Sequence, residues 1–178
     1  MSCASLLKTM TLRNNKILFN IAQVAAMLHV PVKVEPRVDN KDGRRADGLF
    51  IMQEKTIAID VSVTHPWAKS YTTMALVPLG AASERERIKN AEYAERYNRQ
   101  DILFLPVVME TAGGLGASAQ SFVRSLAQDA YLSGCESIIE GRVESFVRKV
   151  LAASLQVGNA LLSMEGWRRS RMKYARAL

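Results

Sequence analysis

The sequence predicts an α/β protein whose mixed central sheet is flanked by helices and followed by a C-terminal helical extension. Three observations carry this. Two apolar runs, residues 49–52 and 56–63, flank the polar turn Gln53-Glu54 and read as a β-hairpin. The run DILFLPVVM at residues 101–109 has the length and continuity of a strand covered on both faces. Apolar residues recur at spacings of three and four over residues 11–29, 117–132 and 138–151, the period of core-facing helices.

Taken in order, residues 11–29 form an amphipathic helix on Leu12, Ile17, Leu18, Ile21, Val24, Ala25 and Leu28. Val30-Pro31 ends it, since proline lacks an N–H and disfavours helix in the residue before it. Val32 and Val34 alternate as a short strand that could continue to Arg37-Val38, and Pro36 confines it to an edge or a strand end. A polar loop at residues 39–43 leads into the hairpin. With Gln53 and Glu54 as its loop, Asp47 falls directly opposite Asp60, where facing Cβ atoms lie roughly 4.5–5.5 Å apart. Alternation puts Ile57, Ile59, Val61 and Val63 on one face and Ala58, Asp60, Ser62 and Thr64 on the other. An acid inside a β-branched run disfavours the strand, and two carboxylates this close repel unless a cation lies between them. An oxygen-liganded divalent ion, most simply Mg²⁺ (or Mn²⁺), satisfies both; the plainer alternative is a turn residue and a stray acid at the sheet rim.

Beyond the hairpin, Ser83 with Glu84 and Glu86 reads as a helix N-cap with acids in the first turn, and the helix runs to about Asn98. Its stripe of Arg85, Lys89, Tyr93 and Arg96 is, taken alone, an ordinary solvated face. After the apolar strand, Glu110, Thr111 and the glycines Gly113, Gly114 and Gly116 turn the chain into the helix at 117–132. The helix at 138–151 is expected to bend or end at Gly158-Asn159, and residues 167–178 are basic with Trp167 and Tyr174 interleaved. The division expected is a core over residues 1–132 and a helical extension with a basic end over 133–178.

Composition narrows the partners. At 48% hydrophobic and 23% charged, the chain has the balance of a globular domain, and no apolar run is long enough to span a bilayer. The net charge of +7 favours an anionic partner, with nucleic acid ahead of a membrane surface. Cys3 and Cys135 are far apart and without CxxC spacing, which supports neither a disulfide framework nor a zinc site and makes a reducing compartment, nucleus or cytoplasm, the default. The basic, Ser/Thr-containing opening is also compatible with an organellar transit segment, a weaker reading because its apolar positions continue into the first helix.

The element order, with Arg45-Ala46-Asp47 opening the second strand and Asp60 inside the third, resembles the PD-(D/E)XK nuclease superfamily. More narrowly it is similar to the restriction-like endonuclease domain of site-specific non-LTR retrotransposons and of related reverse-transcriptase open reading frames. That resemblance implies a restriction-endonuclease-like αβββαβ core and a Mg²⁺-dependent endonuclease acting on nucleic acid, DNA ahead of RNA. Two departures stand out: Ala46 replaces the family's proline, and Ser62 stands where most members have lysine. In the retrotransposon branch the lysine comes from the following helix, four residues ahead of a tyrosine, which Lys89 and Tyr93 match. The ETAGG turn and the VGNALL segment are similar to sequences common in those retroelement tails.

The roles implied are Asp47, Asp60 and the Val61 carbonyl as metal ligands, Lys89 as the group that orients or deprotonates water, and Tyr93 as its support. Arg44, Arg45, His65 and Lys69 would contact phosphates, although a histidine before Pro66-Trp67 is more often a packing residue. Glu110 is either a further metal-site residue or a turn residue accepting backbone donors. Glu35 is the nearest acid able to substitute for the acid that some members carry in the first helix. Two copies would suit cutting of both strands. Two other classes compete: a nuclease-fold module that binds DNA or RNA without cutting, and a structural interaction protein assembled through the helical tail. A dinucleotide fingerprint at Gly114-x-Gly116 is disfavoured, because that turn follows the fourth strand rather than the first.

Overall fold

A two-residue turn sets the register of the central hairpin, and everything around it follows. The computed structural model describes residues 4–36, 45–74, 76–133 and 140–177; Arg37, Val38, Arg44, Ile138 and Ile139 lie outside the described residues. Strand β2 (Gly48–Ile51) pairs antiparallel with β3 (Thr56–Thr64) in the register expected, Gly48 facing Ile59 and Ile51 facing Thr56. The turn closes through the Met52 N–H, which donates to the Lys55 carbonyl at 3.0 Å. Its tip is pinned from outside: the Gln53 N–H donates to Asp129 Oδ1 at 2.7 Å.

Strand β1 (Val32–Val34) pairs antiparallel with β2, while β4 (Ile102–Glu110) pairs parallel with β3. The result is a four-stranded mixed sheet in the order β1-β2-β3-β4. With α1 (Ala4–Met27), α2 (Gly80–Asn98), α3 (Ala117–Leu132) and α4 (Glu140–Ala177), the chain has the order αβββαβ followed by two helices. Pro106 is accommodated opposite Asp60 because β4 is an edge strand, and only one of its sides must supply ladder bonds. Among the described residues no helix is long and apolar enough to cross a membrane.

Alternation along β3 divides the molecule into two layers of unequal thickness. Ile57, Ile59 and Val61 join Phe50, Val107 and Met109 in the larger core against α1, α3 and α4. Phe50 meets Phe122 edge-on with ring centroids 4.9 Å apart. Each large side chain fully buried here contributes about 1.5–3 kcal/mol. On the other face Ala46, Leu49, Ala58 and Phe104 form a smaller cluster with Tyr93 and Tyr97 of α2, and Ala94 and Ile102 pack against it. The smaller layer leaves the end of β3 that carries Asp60, Ser62 and Thr64 to polar contacts.

Several element ends differ from expectation, each for a local reason. Helix α1 begins well before residue 11 and stops in a Schellman arrangement: His29 is left-handed (φ 59°) and the Val30 N–H donates to the Ala25 carbonyl at 2.8 Å. Helix α2 starts at Gly80, not Ser83, because its cap is not local. Leu79 offers no side-chain cap, and Glu110 Oε1 from the end of β4 accepts the Ala82 N–H at 3.2 Å. Helix α4 is continuous through Gly158-Asn159, which does not end it. Val143, Val147, Leu151 and Leu155 place its first half in the same core as α1 and α3.

Candidate active site

Asp47 is held at the sheet rim by its own backbone. Its N–H donates to the Ile59 carbonyl at 2.9 Å, and its carbonyl accepts the Glu35 N–H at 2.7 Å. This double clamp turns the carboxylate toward β3, where Oδ2 accepts the Val61 N–H at 2.7 Å. A strand residue sends its N–H and C=O out by the same edge, so the Val61 carbonyl also leaves β3 beside Asp47. Ala46, the residue before Asp47, is tied to α2. Its N–H donates to the Tyr97 hydroxyl at 2.7 Å, a bond that proline cannot make.

Asp60, only 6% exposed, points to the α2 face and is satisfied from two directions. Lys89 Nζ donates to Oδ1 at 3.0 Å, and Ser62 Oγ donates to Oδ2 at 3.2 Å. Both side chains of the ion pair are nearly buried. The amine also lies 5.1 Å from the centroid of the Tyr93 ring, which stacks on Phe104, as Tyr97 does. The stripe of Arg85, Lys89, Tyr93 and Arg96 is therefore not a wholly solvated face: Lys89 and Tyr93 meet the sheet, as Tyr97 does. Ser62 orients the acid while Lys89 reaches it from α2.

The electrostatics of this cluster are unbalanced. Two carboxylates face one ammonium. The Asp47 carboxyl is pushed up to about 6, first by burial and then by the charge of Asp60, against the opposing pull of the Val61 N–H and Lys89. Two carboxylates with a strand-edge carbonyl form a set of hard oxygen donors, and each carboxylate oxygen keeps a second lone pair beside its present partner. Mg²⁺ is commonly held by one or two carboxylates, with water and substrate phosphate completing its shell, so the residues present fit it. Among the described residues no group of three His, Cys, Asp or Glu side chains is placed to hold a metal.

The remaining predicted residues separate. Arg45 and Glu35 pair with each other at 2.6 Å on the surface, an exposed contact worth about 0–1 kcal/mol. Glu35 stands after β1 rather than on a helix. His65 is exposed, with Nδ1 2.9 Å from Thr111 Oγ1, and Lys69 is exposed in a short 3₁₀ turn. Arg44 lies outside the described residues. Glu110 serves as the cap of α2, the turn-acceptor alternative. Glu86, which the sequence presents as a first-turn acid of α2, has a tertiary role instead. It is buried on α2 and its Oε1 accepts the Ser118 N–H at 2.9 Å, capping α3 in turn. Gly116 makes this approach possible, since a Cβ there would lie 2.2 Å from Glu86 Oε1. The available signal was spacing: Glu86 shares a face with Tyr93 and Tyr97.

Neither a scan against protein-family models nor a search of curated proteins finds a match for this chain.

Proposed function

We propose that the protein is a Mg²⁺-dependent endonuclease of the restriction-like type, with Asp47, Asp60 and Lys89 at its centre and DNA as the first substrate to test. The observation that carries this is the convergence of Lys89 from α2 on Asp60 in β3, beside a second, partly buried carboxylate. The αβββαβ order and the positions of these residues agree with the PD-(D/E)XK resemblance and with its retrotransposon branch. The net charge of +7 suits a polyanion.

A bound Mg²⁺ would polarise the scissile phosphate and acidify a coordinated water. The protein's own groups divide the remaining work. Asp47 and Asp60 supply the hard oxygen donors, and the Val61 N–H fixes the Asp47 carboxylate. Lys89 holds the attacking water by hydrogen bonding and offers positive charge to the phosphate oxygens as the P–O bond breaks. Tyr93, locked by stacking on Phe104, keeps the amine over Asp60.

Incubation with plasmid and with single-stranded DNA tests the reading. The wild type is expected to cut in Mg²⁺ and not in EDTA, and Asp60→Asn to fall to background under both conditions. Wild-type protein inert on either substrate in Mg²⁺ and Mn²⁺, or a fully active Asp60→Asn, rejects it.

A further inference from the structure

Beyond Asp60, at the C-terminal ends of β3 and β4, a cleft of about 490 Å³ opens between α1, α2 and α4. Ser62, His65, Tyr71, Arg85 and Thr111 line it, with Arg13 of α1 at its side. Arg13 is the unusual member. It is only 6% exposed, its Nε has no hydrogen-bond partner among the described residues, and its one bond from Nη1 goes to the neutral Oδ1 of Asn159 at 3.1 Å. No carboxylate among the described residues pairs with it. A buried guanidinium without a counter-charge is costly to maintain. Desolvation accordingly lowers its affinity for its proton. Arg85, at the cleft wall, likewise has no ion pair among the described residues.

The surroundings of Arg13 are built for it. Gly158 faces its methylene stem so closely that a Cβ would lie 2.3 Å from Cγ. Asn159 is fixed in turn, its Nδ2 donating to the Thr111 carbonyl at 3.0 Å, while Thr111 Oγ1 meets His65 Nδ1 at 2.9 Å. The turn after β4 and the middle of α4, both conspicuous in the sequence without an assigned task, thus converge on one cationic group. The cleft is also continuous with the Asp60 cluster. Ser62 belongs to both, about 7 Å along β3 from Asp60 at a strand rise of roughly 3.3 Å per residue. Arg85 stands one helical turn before Lys89.

We propose that this cleft binds a phosphate of the nucleic-acid strand next to the one at Asp60, with Arg13 as its buried anchor and Arg85 and His65 at its sides. The inference rests on the nuclease reading for the identity of the strand, but not for the binding itself. Planar guanidinium groups match phosphate oxygens in bidentate geometry, and a ligand there supplies the missing counter-charge. The phosphate can be internal to the strand or terminal.

Binding of a fluorescent single-stranded oligonucleotide is to be measured by anisotropy over a salt series, in EDTA and on an Asp60→Asn background, so that no cutting is required. Arg13→Gln and Arg85→Ala are each expected to weaken binding several-fold and to reduce the slope of log K against log salt by about 0.7, the value of one lost phosphate contact on a single strand. A 5′- or 3′-phosphorylated oligonucleotide that binds more tightly than the unmodified one, with the gain lost in Arg13→Gln, assigns the cleft to a terminal phosphate. Equal binding of all three, with the slope change retained, assigns it to an internal one. Affinity and slope unchanged in both variants overturn the proposal. Slope changes in a protein whose wild type never cuts would discard the nuclease reading and keep the cleft.

Discussion

Lys89→Met is expected to lower Mg²⁺-dependent cutting by roughly 10²–10⁴-fold, the range for loss of a positioned proton-transfer group. Methionine keeps an unbranched side chain of similar length, so the change removes charge more than volume. A stability effect accompanies the kinetic one. Lys89 and Asp60 are a nearly buried pair, and removing one partner leaves Asp60 uncompensated beside Asp47. Breaking a buried pair costs about 3–5 kcal/mol, whereas replacing both members is often close to neutral. The double variant Lys89→Met/Asp60→Asn should therefore recover much of the unfolding free energy in EDTA without recovering activity. Denaturant unfolding beside cleavage rates separates the two effects; a single variant as stable and as active as the wild type contradicts the assignment.

Asp47→Asn is expected to stabilise the metal-free protein at pH 8. The Asp47 carboxyl is raised from 3.8 to about 6 in the fold, so the folded state binds this proton more tightly than the unfolded chain. Stability from this group is complete below about pH 4, falls as pH rises through 4 to 6, and stays low above that window. The loss is at most roughly 3 kcal/mol, from about two pH units at 1.36 kcal/mol each. Asparagine removes the charge while its Oδ1 can still accept the Val61 N–H. Thermal unfolding in EDTA should show a higher Tm for the variant at pH 8, shrinking toward none at pH 4. Added Mg²⁺ should raise the Tm of the wild type and leave that of the variant unmoved. A Tm difference independent of pH would show that Asp47 carries no such strain.

Local signals made the hairpin and its two acids legible. Gln53-Glu54 is short enough to allow one register, which brings Asp47 to the end of β3. The direct pairing with Asp60 is not part of the ladder, because the ladder ends at Gly48 and the Asp47 N–H bonds the Ile59 carbonyl instead. Lys89 and Tyr93 were legible only through their spacing and the resemblance it supports, since their charge pattern alone pointed to solvent. What could not be read depended on partners distant in sequence. Helix α2 begins three residues before its apparent cap because Glu110, from the next strand, satisfies the Ala82 N–H. Glu86 looks like a first-turn surface acid until α3 presents its N-terminus to it. Gly158 has the form of a helix stop, yet α4 runs through it, because the missing side chain admits Arg13. Arg13 carries one local mark, since it stands four residues before Ile17 on the buried stripe of α1, but nothing near it in sequence says what it meets. Its environment is assembled from α4 and the turn after β4, elements that follow it by about a hundred residues or more.

Calorimetric titration with Mn²⁺ at pH 7.5 tests the central claim most directly, since it reads the carboxylate pair without needing the right substrate. The wild type is expected to bind the ion, and Asp47→Asn and Asp60→Asn each to lose that binding while remaining folded. Wild-type protein that takes up no Mn²⁺, or variants that bind it as tightly as the wild type, would contradict a metal site built on these two acids.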